Sequence, residues 1–274
     1  ADNIRLSGLN GAILEDSVIH GSAVSIDQGR NITISHVEVH DTDNSGIRIF
    51  GQPPISFSDE PWYVVRDSHF HQIGKGKASD FGAVYLAAAD LSCYRDNQTC
   101  GMRALIIGNV IHQTRHLEYG ANGVYLDAGV SDVTVEQNLV VNTGASAIYS
   151  HCGLFNTIRS NVFAQNNVQD DRAAFQGCDE SGVGVWQSGQ ASATNNIILV
   201  TPGSGAAIAG GTPATTAWTK YANTTRFRSN IYASIHPEEL KFPPGVSFVE
   251  WQRQDDEDQG TVLTNVADVG IVDA

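Results

Sequence analysis

Basic side chains are scarce in this chain: 16 Lys and Arg stand against 30 Asp and Glu, a formal charge of −14 over 274 residues. That sign repels phosphate backbones and anionic headgroups, which excludes nucleic acid and anionic membranes as partners. It also weighs against highly anionic polysaccharides. No run of eighteen apolar residues occurs, so no segment reads as a membrane span. Long stretches of 3.6-residue periodicity are missing too, which argues against a helical fold. Asn-Gly pairs number two, Asn10-Gly11 and Asn122-Gly123. They do not recur, so an antiparallel sandwich lacks its hairpin turns. None of the four cysteines forms a CxxC pair, which removes the usual zinc modules. The run Asp255-Asp256-Glu257-Asp258 lacks the glycine and spacing of a calcium loop and reads as a solvated face. The expectation is no metal and no cofactor; structural calcium stays open without a motif to indicate it.

What is present is a repeat. The pattern apolar–x–x–(Asn/Ser)–x–apolar recurs at Leu14–Ser17–Ile19, Val65–Ser68–Phe70, Ile106–Asn109–Ile111, Val135–Asn138–Val140, Ile158–Asn161–Phe163, Ala193–Asn196–Ile198 and Phe227–Asn230–Tyr232. Ile34–Val37–Val39 fits the same frame with Val in the polar slot. Between these rungs lies a second strand opened by a small residue: Ala23–Asp27, Gly46–Phe50, Ala83–Ala87, Gly123–Asp127 and Ala147–His151. Rung spacing is 20 residues from Ser17 to Val37, 29 from Asn109 to Asn138 and 23 from Asn138 to Asn161, about one coil of a parallel β-helix. Alternating apolar residues such as Ile32/Ile34 and Val124/Leu126 would point into a narrow core. Asn at one corner of successive coils would tolerate left-handed φ and bond the coils above and below. The fold expected is an all-β, single-stranded parallel β-helix over 1–234. The tail 235–274, with Pro237 and Pro243-Pro244, would pack on or cap the solenoid, whose open end exposes strand edges.

Three sequons, at Asn31, Asn97 and Asn223, fit a glycosylated protein. Cys93 and Cys100 bracket an insertion carrying Asn97, which suits a disulfide-stapled loop; Cys152 and Cys178 could staple 166–182. Free buried thiols are the alternative. Together these features suit a secreted, extracellular protein. The chain opens at Ala1 almost directly into a rung and reads as a mature chain or a fragment, leaving self-assembly or neighbouring domains of a longer chain open.

Stacking the small-residue-opened strands aligns outward side chains. One column reads Ser25, Arg48, Tyr85, Tyr125, Tyr149, Trp186; the next reads Asp27, Phe50, Ala87, Asp127, His151, Ser188. With strands about 4.8 Å apart, Tyr85, Tyr125 and Tyr149 would form an aromatic strip between Arg48 and Trp186, fit to pack on the C–H faces of sugar rings. Ordinary surface tyrosines on a sheet are the plain alternative. Asp127 and His151 would be neighbours on adjacent coils, with Asp80 just before the preceding strand. Two carboxylates beside a sugar platform are the minimum for glycosidic hydrolysis. A turn-forming role for Asp80 and an orienting role for His151 compete with that reading.

The stretches Asp80-Phe-Gly-Ala-Val-Tyr85, Tyr119-Gly-Ala-Asn-Gly-Val-Tyr-Leu-Asp127, Val133-Thr-Val-Glu-Gln-Asn138 and His151-Cys-Gly-Leu-Phe-Asn156 resemble secreted right-handed parallel β-helix (pectin-lyase-like) proteins. Within them the chain is most similar to glycoside hydrolase family 141 and its uncharacterised relatives. The resemblance is carried by 80–166. It implies hydrolysis of plant-type glycans such as fucosides or xylans, with Asp80 and Asp127 as the pair. Two departures from the family pattern stand out: Ala128 replaces an acidic residue, and Leu86–Asp90 lacks the usual basic one. They leave open a non-catalytic glycan-binding or structural β-helix, as matrix or surface-filament protein. A lyase or uronate epimerase would need calcium carboxylates around a base, and Arg48 is the only base in that column.

Overall fold

A computed structural model describes residues 4–51, 61–88, 100–151, 153–164, 169, 174–177, 191–200, 208–210, 225–240, 242, 246–253 and 260–265. The calls on Asn97, Asn223, Cys93, Cys152, Cys178 and Trp186 lie outside these residues, as does the side chain of Cys100. No helix among the described residues is long and apolar enough to cross a membrane.

The chain winds as a parallel β-helix. One sheet has eight strands, one per coil: Ile4–Ser7, Val24–Asp27, Ile47–Gly51, Gly82–Ala88, Asn122–Leu126, Ile148–Ser150, Phe175–Gly177 and Ile208–Gly210. Each pairs in parallel with the strand of the next coil. The second sheet folds round a corner into two faces, because Asn10–His20 and Arg30–His40 run unbroken through the bend. Later coils break there, as between Val130–Glu136 and Leu139–Val141.

The asparagine ladder occupies that corner. Asn109 Nδ2 donates to Asn138 Oδ1 at 2.9 Å, and the same link runs at 3.0 Å from Asn138 to Asn161, Asn161 to Asn196 and Asn196 to Asn230. Each Oδ1 also accepts the backbone N–H of the preceding rung, and Ser68 and Thr261 close the two ends of the run. One detail differs from the expectation. The left-handed turn residue is not the ladder asparagine but the residue before it: Asp16, His36, Asp67, Gly108, Gln137, Ser160, Asn195 and Ser229 all have φ between 48° and 68°. The work is divided: one residue makes the turn, and the next keeps ordinary φ so that its amide lies along the solenoid axis.

Inside, single residue positions stack into columns. Ile34, Val65, Ile106, Val135, Ile158, Ala193 and Phe227 form one, and Val39, Phe70, Ile111, Val140, Phe163, Ile198 and Tyr232 another, all nearly fully buried. Each large member contributes about 1.5–3 kcal/mol by leaving water. Beyond residue 234, the short helix Phe248–Arg253 sets Trp251 against Phe227 and Phe242, while Val262–Asn265 adds a strand beside Ile231–Ser234.

Two strands of the first sheet fall where the repeat was not visible. Phe175–Gly177 lies inside the stretch read as a loop, and Ile208–Gly210 follows it. Each follows an alanine in the sequence, Ala174 and Ala207, but each offers a single large apolar residue, too little alternation to register as a strand.

Candidate functional site

The outward column of the first sheet has the expected register from Ser25 to Tyr149: Ser25, Arg48, Tyr85, Tyr125 and Tyr149 are successive Cα partners. After Tyr149 comes Gln176, not Trp186, because Phe175–Gly177 supplies the next coil. Burial corrects the expectation of an open aromatic floor. Tyr85, Tyr125 and Tyr149 are only 9%, 4% and 4% exposed and form a cluster with Ala87 and Phe50. The rings of Tyr125 and Tyr149 stack on each other at 4.7 Å and 12°, and Tyr85 meets Tyr125 edge-on at 5.2 Å. Coil spacing is the reason: strands about 4.8 Å apart bring ring centroids into the range of offset-stacked and edge-to-face pairs, so tyrosines in register pack on one another. A sugar approaching this column finds little open ring face.

In the neighbouring outward column, just past the end of Asn122–Leu126, sits Asp127. Its Oδ2 accepts the Tyr85 hydroxyl at 2.6 Å; its Oδ1 accepts His151 Nδ1 at 2.7 Å and the Ala128 N–H at 2.7 Å. The Asp127 and His151 side chains are each 16% exposed. Burial alone would raise the Asp127 pKa, but the bonds from His151 and Tyr85, with the Ala128 amide, outweigh it and hold the carboxyl below its ordinary value. Asp127 is thus a fixed anion, not a proton donor. Burial first, then the charge of Asp127, pushes the Tyr85 and Tyr125 hydroxyls far above the usual phenol range. His151 in turn packs 5.3 Å from the Tyr149 ring.

Arg48 precedes Tyr85 in the tyrosine column. Its guanidinium lies 5.0 Å over Phe50 and 5.7 Å over Tyr85, and its buried Nε–H has no hydrogen-bond partner among the described residues. Asp80 is placed differently from Asp127. It is exposed, sits at φ 58° in the turn before Gly82–Ala88, and donates its backbone N–H to Tyr119 at 3.0 Å. Its charge still contributes to the raised pKa of Tyr85 and Tyr125, so it shares their side of the solenoid. Asn31 is exposed on Arg30–His40, with its side-chain amide bonded to Asn10 Oδ1 at 2.9 Å.

Sequence reasoning passed over a second set of residues. His20, His40, His71 and His112 each lie three places after a rung and stand in register on the outside of the other sheet. That fixed offset was the available signal.

The family model described as "Right handed beta helix region" matches residues 4–218. No curated protein and no solved structure gives a significant match.

Proposed function

The chain belongs to the right-handed β-helix family, and from that premise we propose that it is an extracellular carbohydrate-active protein that binds a glycan at the Tyr85–Asp127–His151 cluster. The observation that carries this is Asp127: a nearly buried carboxylate kept ionised by three donors, beside a row of tyrosine hydroxyls. A fixed anion of this kind orients a sugar hydroxyl as a strong acceptor. The net charge of −14 favours a neutral glycan over a uronate. A carboxylate held ionised supplies no proton to a leaving group, so hydrolysis here would need a second group as the acid.

Hydrolysis remains the second reading because of Asp80, whose exposed carboxylate could be the acid of a pair with Asp127 as its ionised member. One experiment separates the two. Neutral xylan and fucosylated oligosaccharides are assayed for binding by calorimetry and for reducing ends released. The expected result is binding without turnover, weakened about tenfold or more in Asp127→Asn, which loses the charge but keeps the shape. Turnover abolished by both Asp80→Asn and Asp127→Asn establishes hydrolysis instead. Absence of both binding and turnover rejects a carbohydrate role for this cluster.

A further inference from the structure

The outer face of the second sheet carries a histidine row that the carbohydrate reading does not use. His20, His40, His71 and His112 are successive Cα partners on four coils, and Glu38 and His69 pair in the adjoining column. His40 and His71 stack in parallel at 4.9 Å and 2°, and the His69 ring lies 4.5 Å from His71 and 5.0 Å from His112. His71 Nε2 is 2.9 Å from Glu38 Oε1, and His69 Nε2 is 2.8 Å from His112 Nε2. Glu38, His69 and His71, all half-buried, bring one donor atom each within 4.8 Å of one another.

Two facing imidazole nitrogens hold a 2.8 Å contact only with a proton or a cation between them. Diagonal neighbours on a parallel sheet are within reach of side chains this long. Two nitrogens on one zinc ion, each about 2.0–2.1 Å from it, sit about 3.3 Å apart at a tetrahedral angle. The donor atoms of Glu38, His69 and His71, within 4.8 Å of one another, therefore need to close by at most about 1.5 Å around such an ion. We propose that Glu38, His69 and His71 bind a divalent transition-metal ion of the zinc–copper class, with His112 at the edge of the site as the group that His69 leaves on coordination. The donor set is imidazole and carboxylate, which suits these ions and not calcium or magnesium. Glu38 and the two histidines lie on successive coils, so the ion clips one coil to the next and stabilises the native solenoid by mass action. A second trio, His20, His40 and Asp41, also gathers its donor atoms within 4.8 Å of one another one coil earlier, with His20 exposed.

The test uses the whole chain carrying His20→Ala, which removes that neighbouring trio. Zinc is titrated by calorimetry and its effect on the melting temperature recorded, with calcium as the contrasting ion. Zinc is expected to bind and raise the melting temperature, while calcium does neither. Ligand loss should cost more than the 10–100-fold typical of outer-shell changes, so H69A/H71A should lower affinity by about 100-fold or more, and E38Q by about tenfold or more. H236A, a distant surface histidine, should bind like the parent. No zinc binding by the parent, or equal binding by H69A/H71A, overturns the proposal. Copper(II) resonance spectra of the H20A chain test the ligands without further substitution. Nitrogen splitting from two or more imidazoles supports the site, and an oxygen-only spectrum rejects it.

Discussion

Asn138→Ala tests whether the corner ladder holds the coils together. The Asn138 side chain is 2% exposed. Its Oδ1 accepts the Asn109 N–H at 3.0 Å and Asn109 Nδ2 at 2.9 Å. Its Nδ2 reaches the carbonyls of Ile106 and Glu136 and Asn161 Oδ1, at 3.0, 2.9 and 3.0 Å. Alanine leaves the Asn109 N–H buried without this acceptor, at about 1–3 kcal/mol, and removes the two carbonyl bonds at about 1 kcal/mol each. The sum is about 3–5 kcal/mol. For a large domain each kcal/mol moves the midpoint by about 2–4 °C, so the variant should melt at least about 6 °C lower. Asn31→Ala removes one exposed bond to Asn10 and places alanine at φ 52°, so it should cost about 1–2 kcal/mol, less than Asn138→Ala. Urea unfolding followed by circular dichroism should show a lower midpoint with an unchanged slope. Asn138→Asp separates the two halves of the amide. It keeps an acceptor for Asn109 but turns an anion toward two carbonyls and Asn161 Oδ1, so it should be worse than alanine. A variant of Asn138 melting within about 1 °C of the parent would refute the argument.

Gly153→Ala should be severe, because an added Cβ would lie 1.9 Å from the Val130 carbonyl oxygen, a backbone atom that cannot step aside. A loss of about 2 kcal/mol or more is expected in the same urea assay, and a neutral result would mean that the His151 turn sits elsewhere. The pH dependence of stability reports on Asp127, whose pKa is lowered in the folded state. Its contribution is therefore in place above the unfolded carboxylate value of 3.8 and disappears as pH falls through the lower folded value. The stability gap between the parent and Asp127→Asn should narrow as pH falls below about 4. A gap that holds unchanged to pH 2 rejects Asp127 as a fixed anion.

The solenoid was legible because its core and its corner use separate, repeated residues. Val135, Ile158 and Phe227 sit at fixed distances from Asn138, Asn161 and Asn230, so one frame predicts both the inward column and the ladder. The outward register from Ser25 to Tyr149 followed from the same frame, as did the contact of Asp127 with His151. It failed at Gln176, where one phenylalanine is the whole apolar signal of a strand. Exposure was not legible at all. Alternation says that Tyr125 points away from the core; it does not say that Tyr149 takes up its face or that only 4% of it stays in contact with solvent.

A coil repeat turns single residue choices into rows, and the chemistry of a row depends on what the side chains do to one another at coil spacing. Tyrosines at that spacing pack on one another and withdraw their faces, leaving the Asp127 anion beside the row as its charged feature. Histidines at the same spacing also stack, as His40 does on His71, but their donor atoms lie on the ring rim and stay turned toward carboxylates, His71 toward Glu38 and His40 toward Asp41. Stacking therefore closes an aromatic platform and leaves a metal-binding rim available. For that reason the histidine face, where His71 of the row meets Glu38 and His69 of the adjoining column, keeps donor atoms available that the tyrosine face does not.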